Sequence, residues 1–375
     1  MLRVSAGLDP IHGGPPQSTA MSCLAAHRAG IETVVLTIDE GAAGRLAANV
    51  LRAAGVVVVQ HPLLGGDSGI SYRWTVSAAL ARDLKRWTSE VDVVHAHGAW
   101  TFTTLASLVM ARLRGLPTVL TPHESMTNFD LAKSARVNRL VKETLRISYL
   151  HLFDTVVFAS ELERTESSRR RSRAYSIVLP HPVEFGVGAQ TPPVREGSLR
   201  VGFLGRFDSK KRLDILLQAL PEHAQLCVAG DGPVELARNY RHIAVAQGIQ
   251  NRVEWLGFIG STAKRDFLAS LDVLVMPSAF EGFGIAAAEA ISMGVPVLVS
   301  PDTGIAATVR RHGCGEVVES QPDPIRQSLQ RVEFWRGDAR AATTAAAIEF
   351  SPETHGEELR RLYDHLVASG RRSER

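Results

Sequence analysis

Two glutamates, Glu281 and Glu289, bracket the run Gly282-Phe283-Gly284-Ile285-Ala286, and this segment has the makings of a diphosphate site. The apolar run Val273-Leu274-Val275-Met276 before it reads as a strand. A helix from about Gly284 to Met293 follows, and Gly294-Val295-Pro296 stops it before a second strand, Val297-Leu298-Val299. The first N–H groups of a helix have no intrahelical acceptor, and its dipole places roughly +0.5 charge there. A diphosphate is therefore held at such an end without any side chain, and glycine lets it come close. Glu289 lies five residues past Gly284, about 7.5 Å along the axis at about 1.5 Å per residue, a distance that suits a ribose attached to that phosphate. Glu281 faces the other side, toward a sugar. Two other readings stand beside this one: an amphipathic helix with incidental glutamates, and a dinucleotide fingerprint, Gly282-x-Gly284-x-x-Ala287, with Asp302 ending the next strand. In a dinucleotide fold the first glycine turns directly off the strand, whereas several residues separate Met276 from Gly282.

The spacing of the glutamates, with the wording Pro277-Ser278-Ala279-Phe280-Glu281-Gly282-Phe283-Gly284, resembles the signature of the retaining nucleotide-sugar glycosyltransferases of family 4. Gly205-Arg206 with Lys211, the turn Gly230-Asp231-Gly232-Pro233 and the early pair Gly13-Gly14 fall in that family's order, so the resemblance covers most of the chain. It implies the GT-B architecture, two facing Rossmann-like domains with an interdomain cleft. It implies transfer of a hexose from a nucleoside diphosphate sugar to a hydroxyl with retention, in the setting of bacterial surface polysaccharide assembly. On this resemblance Arg206 and Lys211 clamp the diphosphate, with Gly205 beside them, and His123 sits by the donor sugar. Gly13 and Gly14 border donor and acceptor. Gly230, Phe258 and Ile259 bracket the nucleobase, and Gly282, Phe283, Gly284 and Ile285 line the phosphates. Glu281 orients sugar hydroxyls and Glu289 the ribose. The acceptor it implies is a saccharide or a polyprenyl-diphosphate-linked intermediate. Two residues depart from the pattern: Arg212 stands where the family commonly has glycine, and Glu124 follows His123 where glycine is frequent.

The leaving nucleotide gains negative charge as the sugar–oxygen bond breaks, so preorganised cations accelerate the reaction. Arg206 and Lys211, next to a helix start, repel its positive dipole unless an anion lies between them. The sequence contains no Asp-x-Asp pair to place a divalent ion on the diphosphate, and no metal or other cofactor is expected. His95 and His97 alternate onto one face of a strand, a spacing compatible with a metal, but lacking a third ligand they read as cleft lining.

The chain has 375 residues, 45% of them hydrophobic, which suits two domains each with its own core. Strand and helix patterns alternate from end to end, as in doubly wound parallel sheets. In the first half strands are expected near Leu2-Ser5, Val34-Thr37, Val56-Val59, Asp92-His95, Thr118-Thr121 and Thr155-Ala159. A second series begins near Ile177-Leu179 and continues at Val201-Leu204, Gln225-Ala229, Val253-Leu256, Val273-Met276 and Val297-Val299. The expected division is a first domain over 1–180 and a Pro/Gly-rich linker over 181–198. A donor-side domain over 199–350 follows, then a helix and tail over 351–375 that return to the first domain.

A net charge of +3 is too mild to imply nucleic acid. The three scattered cysteines fit a reducing compartment, and no apolar run approaches the roughly 20 residues that span a bilayer. The expectation is a cytoplasmic protein whose membrane contact, if any, is peripheral. Lys133, Arg136, Arg139, Lys142 and Arg146 recur at helical spacing opposite Val137, Val141 and Leu145, and together with Arg169, Arg170, Arg171 and Arg173 they form a basic face suited to an anionic membrane or lipid diphosphate.

Overall fold

The computed structural model describes residues 1–64, 74–168, 174–183 and 198–373. Two compact units emerge: Met1–Pro182 with Pro352–Arg375, and Val183–Ser351. Most of the expected linker, 184–197, and the arginine run 169–173 lie outside the described residues.

The first unit is built on seven parallel strands: β1 (Leu2–Ser5), β2 (Val34–Ile38), β3 (Val57–His61), β4 (Val94–His97), β5 (Thr118–Thr121), β6 (Thr155–Phe158) and β7 (Tyr175–Val178). Their order is β3-β2-β1-β4-β5-β6-β7, so the winding reverses between β1 and β4, where a doubly wound sheet opens its ligand crevice. The first-unit strands β1, β4, β5 and β6 are buried along their whole length. Each sheet face is covered by helices, which is why these strands read as apolar runs rather than alternating ones. The segment near Ile177 belongs here as β7, paired with β6, and not to the second series. Strand β4 begins two residues later than the expected Asp92-His95, which brings both His95 and His97 inside it.

The second unit repeats the plan with β8 (Leu199–Leu204), β9 (Ala224–Ala229), β10 (Val253–Gly257), β11 (Val273–Met276), β12 (Val297–Val299) and β13 (Gly315–Val317). The order is β10-β9-β8-β11-β12-β13, with the reversal between β8 and β11. Strand β13 was not expected, because Glu316 interrupts its short apolar run. The core gathers Val201, Phe203, Leu216, Leu226, Val228, Val273 and Val275.

The helix Pro352–Ser373 packs on the first unit, where Leu359 and Leu362 join Ala26, Val93, Val119 and Val157 in one buried cluster. The expected basic face is corrected by the helix Arg136–Leu152. Arg146 is only 1% exposed: it donates to the Met126 carbonyl and Asn128 and pairs with Glu143. Lys142 pairs with Asp130 at 3.0 Å, and Lys133 falls outside this helix. What the helix exposes instead is an apolar stripe, Val137, Leu140, Val141 and Ile147, beside the exposed Arg136 and Arg139. Cys23, Cys227 and Cys314 are buried free thiols, and no described helix is long and apolar enough to cross a membrane.

Candidate active site

In the second unit the residues singled out from the sequence sit at the C-terminal ends of β8, β9, β10 and β11, four neighbouring strands. The loops are stitched together by backbone bonds. Gly205 donates to the Ala229 carbonyl, Gly230 to Gly257, and Phe207 to Asp231. At Gly230, φ is 151°, and a Cβ would lie 1.9 Å from the Gly205 carbonyl oxygen, so only glycine lets these two loops touch. Phe258 projects from the loop after β10 with 71% of its surface exposed, and Ile259 beside it is half-buried.

Glu281 is held by its backbone. Its N–H donates to the Asp302 carbonyl, and its own carbonyl accepts from Gly304. Asp302, the residue a dinucleotide reading would place on a ribose, thus uses its backbone to fix the loop. The Glu281 carboxylate is 2.6 Å from Lys211 Nζ. Burial opposes its ionisation, but Lys211 and then Lys210 outweigh this and hold the carboxyl below its usual value. Gly284 has φ 108° and caps the helix Ile285–Ser292, in a conformation that an L side chain would strain. Helical geometry leaves the first N–H groups here, at Ile285 and Ala286, without intrahelical acceptors. Gly282 and Phe283 precede the cap, and Phe283 packs edge-on against Phe350.

The three cations Arg206, Lys211 and Arg212 differ in their surroundings. Lys211 closes the turn Ser209–Lys211 and points at Glu281. Arg212 adopts φ 53° and pairs with Asp214. A left-handed φ at this point is the physical reason that glycine suits it. Arg206 is exposed. Glu289 is 2% exposed and forms an ion pair with Lys264, on the helix Ser261–Ala269. Lys264 was missed from the sequence; the signal available was a lone lysine in the first turn of a helix that follows the exposed Phe258 loop.

The first unit carries its own cluster. Gly13, at φ 87°, caps the helix Gly14–Arg28, whose Ser18 and Thr19 reach the ring of His123 at 3.3 and 3.2 Å. His123 follows β5 and takes φ 51°, and Glu124 takes φ 68°, two consecutive left-handed non-glycine residues. A buried carboxylate supports them: Glu163 accepts from the Glu124 N–H at 2.5 Å and from the Ala159 N–H at 2.7 Å. Burial pushes the Glu163 carboxyl up to about 7 against those two bonds. This explains how Glu124 is tolerated where glycine is common.

Four imidazoles stack in sequence. His95 lies on His97 at 4.5 Å between centroids, His97 on His123 at 5.3 Å, and His123 on His181 at 5.0 Å. His355 completes a small cavity with them, bonded to Ser22 at 2.7 Å. Burial lowers every one of these pKa values. His95, His97 and His123 fall well below 6.5, His181 to about 4 and His355 to about 3, and the Arg3 guanidinium adds to the effect at all but His181. The cluster is neutral near pH 7. Among the described residues no group of three or more His, Cys, Asp or Glu has the geometry to hold a metal. Arg3, His181 and His355 were not foreseen; a charged residue inside the apolar strand Leu2–Ser5 was the one visible sign.

Comparison with known proteins covers both units. The model for Glycosyltransferase Family 4 matches residues 12–184, and that for Glycosyl transferases group 1 matches 190–344. An uncharacterized glycosyltransferase, MJ1607, of Methanocaldococcus jannaschii is 32% identical over 146 residues, 37% of each chain. A 2-deoxystreptamine N-acetyl-D-glucosaminyltransferase of Streptomyces fradiae is 29% identical over 91% of this chain and 83% of its own. The phosphatidyl-myo-inositol mannosyltransferase of Mycobacterium leprae is 26% identical over 81% and 82%. Anabaena HepE, solved in complex with UDP-glucose, shares the fold with a TM-score of 0.75 and 17% identity, covering 97% of this chain and 99% of that one.

Proposed function

From the premise that this chain belongs to glycosyltransferase family 4 and has two parallel-sheet units of the GT-B type, we propose that it moves a hexose from a nucleoside diphosphate sugar to a hydroxyl acceptor with retention and without a metal. The observation that carries this reading is the Lys211–Glu281 pair, 2.6 Å apart, beside the glycine-capped helix that also bears Glu289. Lys211 neutralises the departing diphosphate, assisted by Arg206 and the backbone N–H groups at the helix start. Glu281 orients the hexose and Glu289 the ribose, exchanging its bond to Lys264 for two hydroxyls. His123, neutral, acts as a hydrogen-bonding partner of the sugar rather than as an acid. The bond between the anomeric carbon and the phosphate oxygen breaks and a bond to the acceptor oxygen forms on the same face, while the acceptor's proton passes to that leaving oxygen. No general base is assigned.

The acceptor is proposed to be lipid-linked or a saccharide intermediate of surface polysaccharide assembly. Support for a lipid surface comes from the exposed stripe Val137, Leu140, Val141 and Ile147 with Arg136 and Arg139 at its side, a combination of exposed apolar area and positive charge that suits an anionic bilayer. Such a docked enzyme would work on the cytoplasmic face. The experiment is a thermal-shift panel of UDP-, GDP- and ADP-sugars, followed by transfer to candidate acceptors with the anomeric configuration of the product read by NMR. A product of inverted configuration removes the retaining mechanism, and binding without turnover in any pairing leaves a sugar-nucleotide-binding module instead of an enzyme.

A further inference from the structure

Arg3 is fully buried on β1, and its hydrogen-bond partners in the first unit are neutral: Ser22 Oγ at 2.8 Å, Tyr363 Oη at 3.2 Å and His97 Nε2 at 3.3 Å. A guanidinium only donates, so each of these atoms must accept, and the direction of every bond beyond it follows. His97 accepts at Nε2, so as a neutral ring it carries its proton on Nδ1, which lies 3.1 Å from His123 Nε2. His123 then accepts at Nε2, where Thr19 Oγ1 at 3.2 Å must also act as a donor, and carries its proton on Nδ1, facing Ser18 Oγ at 3.3 Å, while the Ser18 hydroxyl donates to the Pro15 carbonyl at 3.1 Å. A second chain runs from Ser22 to His355 Nε2 at 2.7 Å and from His355 Nδ1–H to the Pro180 carbonyl at 2.9 Å. A third runs from Tyr363 to His95 Nδ1 at 2.6 Å and from His95 Nε2–H to Thr121 at 2.8 Å. All three are consistent in every bond, and all three start at one residue.

We infer that Arg3 is a positioning residue that fixes His123 as its Nδ1–H tautomer, acting through His97. The consequence for chemistry rests on the reading of His123 as the donor-sugar contact. The bond to Ser18, at 3.3 Å, is the longest at that ring, and it is the one a sugar hydroxyl displaces. A polarised chain ensures that the ring offers such a hydroxyl an N–H and not a lone pair. Without Arg3 both tautomers of His97 become comparable in energy, and half of the His123 rings present the wrong atom. The cost of burying the cation is offset by fixing four imidazoles at once.

The test needs no substrate at its first stage. Nitrogen-15 spectra of the imidazoles in wild-type protein at pH 7.5 should show His97, His123 and His355 protonated on Nδ1 and His95 on Nε2. Arg3→Met should give His97 and His123 averaged between tautomers. Tyr363→Phe, which cuts only the third chain, should release His95 and leave His123 unchanged, and it serves as the informative variant should Arg3→Met fail to fold. A wild-type His123 protonated on Nε2, or a His123 that keeps its tautomer in folded Arg3→Met, overturns the inference. At the second stage, using whichever of UDP-, GDP- or ADP-glucose turns over, Arg3→Met should lower kcat about 10- to 100-fold with the affinity for the bare nucleotide within twofold of wild type. The loss should vanish when His123→Ala is already present. If His123→Ala itself turns over like wild type, the reading of His123 falls while the tautomer assignment still stands or falls on the spectra.

Discussion

Acidification to pH 5 should destabilise the first unit, because its cohesion depends on histidines that must stay neutral. The perturbation is a shift from pH 7.5 to 5.0. Folded pKa values of about 4 for His181 and about 3 for His355 lie below the unfolded value of 6.5. Their stabilisation is therefore fully present above pH 6.5 and lost as the pH falls toward those values, since the unfolded chain binds the protons first. By pH 5 each of the two removes about 2 kcal/mol. His95, His97 and His123, also depressed by burial and Arg3, act in the same direction. Glu163 opposes them: its folded pKa of about 7 exceeds the carboxylate value of 4.5, so protonation favours the folded state as the pH drops, returning about 2 kcal/mol by pH 5. Glu40, raised by burial, adds to that offset. The histidines prevail, and a net loss of about 2 kcal/mol or more lowers the midpoint by roughly 4–8 °C in a unit of this size. Scanning calorimetry at pH 7.5, 6.5 and 5.0 measures it, with hydrogen exchange at β4 and β5 assigning the transition to the first unit. His355→Gln should shrink the pH dependence by about 2 kcal/mol. A midpoint that is flat or rises on acidification, or a pH dependence untouched in His355→Gln, would refute the reasoning.

Lys211→Ala should leave the fold intact and reduce transfer by roughly 10²–10³, with Arg206→Ala acting in the same direction; steady-state rates at saturating donor and acceptor check both. Glu163→Gln replaces one acceptor by an amide that faces a backbone N–H, so stability at pH 7.5 should fall by about 1–3 kcal/mol and exchange at the Glu124 amide should quicken, as urea titration and exchange mass spectrometry would record. Val137→Ser with Leu140→Ser should weaken binding to anionic vesicles, and Arg136→Glu with Arg139→Glu should weaken it further at low salt; a wild-type protein that ignores such vesicles ends the membrane proposal.

Most of the fold was readable because buried parallel strands write themselves as short apolar runs between glycine- and proline-marked turns. Strand β11, Val273–Met276, and the helix after it needed no tertiary information. Strand β13 did, since Gly315-Glu316-Val317 has too little apolar pattern to stand out from a loop. The helix Arg136–Leu152 misled for another reason. Its basic positions look alike in sequence, but Asp130 captures Lys142, while Met126 and Asn128 draw Arg146 inward. In the second unit, the neighbours within one strand–turn–helix segment were legible, and Lys264 was not, because it reaches Glu289 from a separate helix. The histidine cluster was the least legible part. Arg3, Ser22, His97, His123, His355 and Tyr363 come from distant points of the chain, and only the sheet order and the returning C-terminal helix bring them together.

The central claim is that the glycine-capped helix of the second unit holds a nucleoside diphosphate, with Glu289 on the ribose and Glu281 serving the sugar. Calorimetric titration of wild type, Glu289→Gln and Glu281→Gln with UDP, GDP and ADP tests it most directly. The account predicts that one nucleotide binds stoichiometrically to wild type, that Glu289→Gln weakens it by about 1–3 kcal/mol, and that Glu281→Gln leaves it close to wild type while transfer falls. Absence of binding by all three nucleotides to folded wild-type protein, or a loss confined to Glu281→Gln, would contradict it.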